Sequence, residues 1–165
     1  MTAADVRLHL RYSAWASKKL LDAVREMPIE AAEQNTGVSH GSLLGTLSHI
    51  LMADWIWSTR VIEPMERPPA TLEALETIWP QVLDKWIAWA DALSDSDVER
   101  VISYHAMDGT PFQTPLWQIA LHVVNHATLH RGQVMAMLRQ AGVKPPGTDL
   151  IYYYRELDAA AKAHA

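Results

Sequence analysis

TPLWQIALHVVNHATLHRGQVMAMLRQAG, Thr114 to Gly142, is the stretch on which the fold turns. Leu116, Ile119, Ala120, Val123, Ala127, Val134 and Met137 recur at helical spacing and define one inward direction. Thr114 reads as a cap with Pro115 at the first helical position. Gly142, followed by Pro145 and Pro146, closes the helix near Ala141.

Working outward, Val6, Leu10, Trp15, Leu20, Leu21 and Val24 predict a first helix from about Ala4 to about Glu26, stopped by Pro28. A polar loop, Glu33 to Ser39, leads to Ser42, the expected cap of a second helix that ends before Pro64. The pattern from Thr71 to about Leu93 predicts a third helix, broken or kinked near Trp79 because Pro80 lacks an N–H. Val98 to Pro115, with its Asp108-Gly109 turn signal, predicts a short hairpin or extended loop. A short last helix, about Asp149 to Ala161, carries Tyr152, Tyr153 and Tyr154. The expected fold is all-α: one domain over 1–165, an antiparallel four-helix bundle with the hairpin before its fourth helix and a short C-terminal helix.

Composition narrows the chemistry. The 165 residues carry a formal charge of −5 from 14 basic and 19 acidic side chains, which opposes binding to a phosphate backbone, so no nucleic-acid partner is expected. There is no Cys, so a transition-metal site must use His, Asp or Glu. The stretch MTAADVRLHLRYSAW has no apolar h-region and no run reaches the roughly 18 apolar residues of a membrane span, so the expectation is a cytoplasmic protein with no membrane partner.

His122, His126 and His130 follow one another at intervals of four, each about 40° further round the helix than the last. His122 and His130 stand roughly 12 Å apart and cannot share an ion whose bonds to nitrogen are about 2.0 to 2.1 Å. On the wheel His130 points inward, His126 lies at the edge of the stripe and His122 is peripheral, which selects His126 and His130. A third imidazole must come from another helix. His49 is offered by the second, although the main stripe of that helix, Leu43, Leu47, Leu51 and Trp55, does not include it. Asp54, about 140° round from His49, is a poor fourth ligand.

The bland alternative is that an i, i+4 pair among eight histidines is solvated or merely packed. A metal is favoured because residues 115 to 141 hold no Asp or Glu to pair with buried imidazoles, while Ala127, Thr128 and Leu129, in place of the glutamate-bearing spacer of the H-E-x-x-H motif, disfavour a zincin-type peptidase. Three imidazoles would leave an open position, the mark of a reactive rather than a closed site.

VVNHATLHRGQV, Val123 to Val134, resembles the NHxxxHRGQ signature of the DinB family within the DinB/YfiT-like superfamily, helical bundles unrelated in fold to DNA polymerases. RYSAWASKKLLDAV, SHILMADWIW, the DGTPF turn with TPLWQ, and GTDLIYYYRE match in the same order over nearly the whole chain. The resemblance implies a four-helix core with a divalent transition metal, zinc or nickel, held by His49, His126 and His130. It further implies a small-molecule substrate such as a low-molecular-weight thiol, and a homodimer. Arg131, beyond the inward stripe, is expected to pair with a carboxylate of a partner helix or tail, or to serve packing. His122 is either a supporting neighbour or an exposed residue. Three functions fit: a metal-dependent transferase or hydrolase, a metal or small-ligand binding protein, and a dimerisation module with an inert site.

Overall fold

The structure is a computed structural model that describes residues 1–163. It is mostly helical with one two-stranded sheet. Helix α1, Ala3–Arg25, begins with a reciprocal cap: the Thr2 hydroxyl accepts from the Asp5 amide, and the Asp5 carboxylate accepts from the Thr2 amide. A short α2, Ile29–Glu33, occupies ground left unassigned by the sequence pattern. Helix α3, Leu43–Val61, starts where expected, with the Ser42 hydroxyl accepting from the Gly45 amide at 2.9 Å.

The predicted third helix is two: α4, Leu72–Thr77, and α5, Trp79–Asp91, with Pro80 in the first turn of α5. Proline is tolerated there because its missing N–H has no partner to lose. A single turn, α6, spans Asp95–Val98. The hairpin is present as β1, Val101–His105, paired antiparallel with β2, Pro111–Pro115, and Gly109 takes a positive φ of 85° in its turn. Helix α7, Leu116–Gln140, follows directly, and α8 is Leu150–Ala163.

Thr114 does not cap α7. It is a strand residue facing Ile102, Pro115 pairs with Val101, and the Leu116 amide donates to the Arg100 carbonyl at 2.9 Å. The hairpin backbone thus takes over part of the work a capping side chain would do. At the other end Gly142, with φ 78°, lets the Val143 amide reach back to the Leu138 carbonyl.

Helices α1 and α3 each pack against both α7 and α5, around a core that runs from Ala3 to Tyr153. Helix α7 is buried along two stripes because it has two neighbours. Arg131 sits on one of them, 1% exposed. Its guanidinium donates to the Ser13 and Ser17 hydroxyls of α1 at 3.0 and 3.2 Å and to the Thr128 hydroxyl at 2.8 Å. It also lies 5.4 Å from the centre of the Tyr12 ring. Of the two expectations for Arg131, packing is the one the structure shows: it bridges α7 to small hydroxyls of α1, and among the described residues no carboxylate is ion-paired with it. A long stem beside Ser13 and Ser17 can enter the core because those residues leave it room.

Asp54 of α3 is also buried, at 2% exposure, and accepts from the indole N–H of Trp79 at 2.8 Å. Burial pushes its carboxyl up to about 7, against the opposing pull of the Trp79 donor and the charge of Arg131. Arg131→Ala is expected to lower stability by about 2 to 4 kcal/mol, since it empties volume and leaves buried hydroxyls unpaired. Urea unfolding monitored by circular dichroism measures this directly.

Candidate metal centre

Imidazoles from α3 and α7 meet on the seam between these helices. The Nε2 atoms of His49 and His126 are 3.0 Å apart. The ring centroids of His49 and His126 each lie 4.5 Å from that of His130. All three expected ligands are thus brought together. His130 is the deepest, at 8% exposure, while His49 and His126 are half-buried. This is the order the wheel gives for the two α7 residues. His49 reaches the seam because α3 is covered on two sides, by α7 and α5.

A fourth imidazole joins them that the sequence reading did not single out. His40 stacks on His49 with centroids 3.6 Å apart and planes 17° from parallel, and its ring is 5.2 Å from that of His130. The ligand atoms of His40, His49 and His130 all fall within 4.8 Å of one another. His40 rides on the loop before α3, where Gly37, Ser39 and Gly41 adopt φ of 68°, 53° and 84°. For Ser39 that backbone costs roughly 1 kcal/mol. The loop is fixed by the Thr36 amide donating to the Gly41 carbonyl at 2.7 Å, and by the close approach of His40 to α3: a Cβ on Gly45 would stand 2.3 Å from the His40 carbonyl oxygen. The bracketing of His40 by Gly37 and Gly41 is the one local signal that marks it.

The protonation pattern favours an ion. The Gln133 carbonyl oxygen accepts from the Ser39 hydroxyl at 2.6 Å and lies 2.7 Å from His130 Nδ1. An amide oxygen only accepts, so the His130 proton belongs on Nδ1 and its lone pair on Nε2. Burial, reinforced by the charges of His40 and His130, lowers His49 to about 4. Burial and the neighbouring imidazoles do the same to His126, again to about 4. At neutral pH both rings are therefore neutral donors. Two nitrogens sharing a tetrahedral zinc would sit about 3.3 Å apart. The 3.0 Å between His49 and His126 needs only a few tenths of an ångström of adjustment.

His122 stands outside the cluster, exposed, its ring 5.8 Å from His126 and 5.3 Å from Trp57. Asn125 turns back to donate to the Leu121 carbonyl. Asp54 faces Trp79 instead.

Two outcomes follow for the metal-free chain. His49 and His126 should titrate near pH 4 by ring-proton NMR, not near 6.5. Their unfolded forms bind protons at higher pH than their folded forms, so their contribution to stability declines as pH falls from 6.5 towards 4. Gly45→Ala, which in an open helix would add about 1 kcal/mol, should instead lower the melting temperature, because the new methyl group displaces the His40 loop.

The family model of the DinB family matches residues 1–160. Protein DinB of Bacillus subtilis (strain 168) is 24% identical over 155 residues, which cover 86% of this chain and 89% of that protein. The crystal structure of a DinB-like protein from Bacillus cereus ATCC 10987 has a TM-score of 0.69 at 22% identity, over 88% of this chain and 97% of that one. At that identity the likeness concerns the fold, and it agrees with the helical architecture described above. With a family match that runs almost from end to end, the chain belongs to the DinB family.

Proposed function

We propose that the protein binds one divalent transition metal ion, zinc or nickel, through His49, His126 and His130, and that a small molecule, such as a low-molecular-weight thiol, reacts at the position these imidazoles leave open. The observation that carries this reading is the convergence of imidazoles from two helices on one point of the seam. We further read α1, α3, α5 and α7 as an antiparallel four-helix core that holds α3 and α7 in register, so the ligands are set by backbone packing.

The ion, when bound, supplies Lewis acidity and holds a water or thiol in its deprotonated form near neutral pH. The chain supplies the rest. Gln133 orients His130 by holding its Nδ1 proton, and Ser39 fixes Gln133 in turn. His40, on its glycine-bracketed loop, covers the outer side of His49 and offers a fourth imidazole that a ligand can displace. That α7 carries no Asp or Glu favours a nucleophile activated by the ion over one activated by a general base.

Elemental analysis of protein purified without a histidine tag tests the proposal. One equivalent of metal is expected in the parent, with loss of at least tenfold in affinity for His49→Ala, His126→Ala and His130→Ala. His40→Ala should retain the metal with altered cobalt absorption. Equal metal in the parent and the three helix variants would refute the site, and loss in His40→Ala with retention in His126→Ala would reassign it. Chelation should leave the helical content intact, because the core is built without the cluster.

A further inference from the structure

We propose that Arg60 anchors a carboxylate at the far end of the small molecule whose other end reaches the histidine cluster. This inference deepens the reading of the cluster as a metal centre and rests on it.

Arg60 lies eleven positions after His49 on α3, which brings it to within about 20° of the same face. The two are joined along the seam by ring contacts that begin at the cluster. His126 touches His122 at 5.8 Å, and His122 meets Trp57 edge-on at 5.3 Å. Trp57 meets Tyr104 of β1 edge-on at 5.0 Å. The guanidinium carbon of Arg60 sits 4.7 Å from the Trp57 ring centre and 5.1 Å from that of Tyr104. The cation thus leans back towards the cluster, as helical side chains do, and stands roughly 10 to 15 Å from it.

This guanidinium is fixed yet electrostatically uncommitted. Among the described residues its one hydrogen bond goes to the His105 carbonyl, at 2.9 Å, and no carboxylate lies within ion-pairing distance. Arg7, Arg11 and Arg25 are paired with acids; Arg67, Arg100, Arg139 and Arg155 share with Arg60 the lack of an ion pair among the described residues, but of these Arg60 is the one held against two aromatic rings. Arg60 has five N–H donors, and the rings hold the plane without using most of them. A guanidinium held in place by stacking loses little further freedom when it captures a carboxylate in a bidentate pair. Between the cation and the cluster the wall is aromatic, with Trp57 and Tyr104 half-buried and His122 exposed, suited to an apolar or planar middle section. The ligand class is therefore a small molecule with a metal-binding head, an apolar middle and a carboxylate tail. The competing role, a pin that fastens the hairpin to α3, predicts an effect on stability alone.

The test uses zinc-loaded full-length protein and two probe series of increasing length, ω-mercaptoalkanoic acids and ω-mercaptoalkanols, with binding followed by titration calorimetry. At one chain length the acid should bind about tenfold tighter than the alcohol. Arg60→Gln should erase that preference while leaving the alcohol's affinity unchanged, and Arg60→Lys should restore part of it. Equal binding of acids and alcohols at every length, or a preference that survives Arg60→Gln, overturns the anchor while the metal centre stands. A lower melting temperature in Arg60→Gln with the preference intact likewise makes Arg60 only a pin. If the parent takes up no zinc or binds neither series, the reading of the cluster fails and the anchor falls with it.

Discussion

Everything in this fold depends on α7 having to satisfy two neighbours at once. On one side it meets α1, where Arg131 is received by the hydroxyls of Ser13 and Ser17. On another it meets α3, where His126 and His130 face His49. A helix with no acidic residue cannot neutralise its own buried cations or imidazoles, so each must be met by something from outside. The partner on the α1 side is a set of small hydroxyls, and on the α3 side another imidazole. That choice of partners makes the α3 face chemically open, because burial beside one another keeps the His49 and His126 rings neutral with their lone pairs free.

The second requirement is orientation. Imidazoles at i, i+4 have their spacing set by the helix, but the direction of each lone pair is set by what the other ring nitrogen touches. For His130 that contact is Gln133, only one turn further along the same helix, and Gln133 is itself steadied by Ser39 of the His40 loop. The loop is in turn pressed against α3 at Gly45, where the backbone comes too close for a side chain. Loop, glutamine and histidine form one mechanical unit, so displacing the loop disturbs the orientation of His130 some distance from the substituted residue.

Much of this was legible in the residues, and the reasons differ from case to case. The α7 stripe, the break at Pro80, the hairpin turn at Gly109 and the closure at Gly142 are local events dictated by backbone chemistry, and they appear where the pattern places them. The wheel places His130 inside and His126 at the margin, because burial on a single helix is a one-dimensional problem. His49 needed the resemblance, since its side of α3 is buried only by a second neighbour. Three features were not legible. Thr114 has the composition of a cap but is claimed by the strand. Arg131 was open to packing from the sequence, but its partners, the small hydroxyls of Ser13 and Ser17, emerge only once α1 is placed opposite it. His40 sits in a loop, and loop conformation is fixed by contacts distant in sequence. Each of these was decided by tertiary packing, to which a single stretch of sequence is blind.

The buried Asp54 has an effect that runs against the histidines. Its carboxyl is displaced upwards to about 7, so its folded form holds a proton that the unfolded chain gives up above 3.8. Acidification across that interval strengthens the fold at Asp54 and weakens it at His49 and His126, whose shifts have the opposite sign. The opposing slopes overlap and partly cancel, so the metal-free protein loses less stability in mild acid than its histidines alone would impose. Occupancy of the centre by a metal would tip that balance towards the imidazoles, because a bound ring takes up no proton until acid displaces the ion.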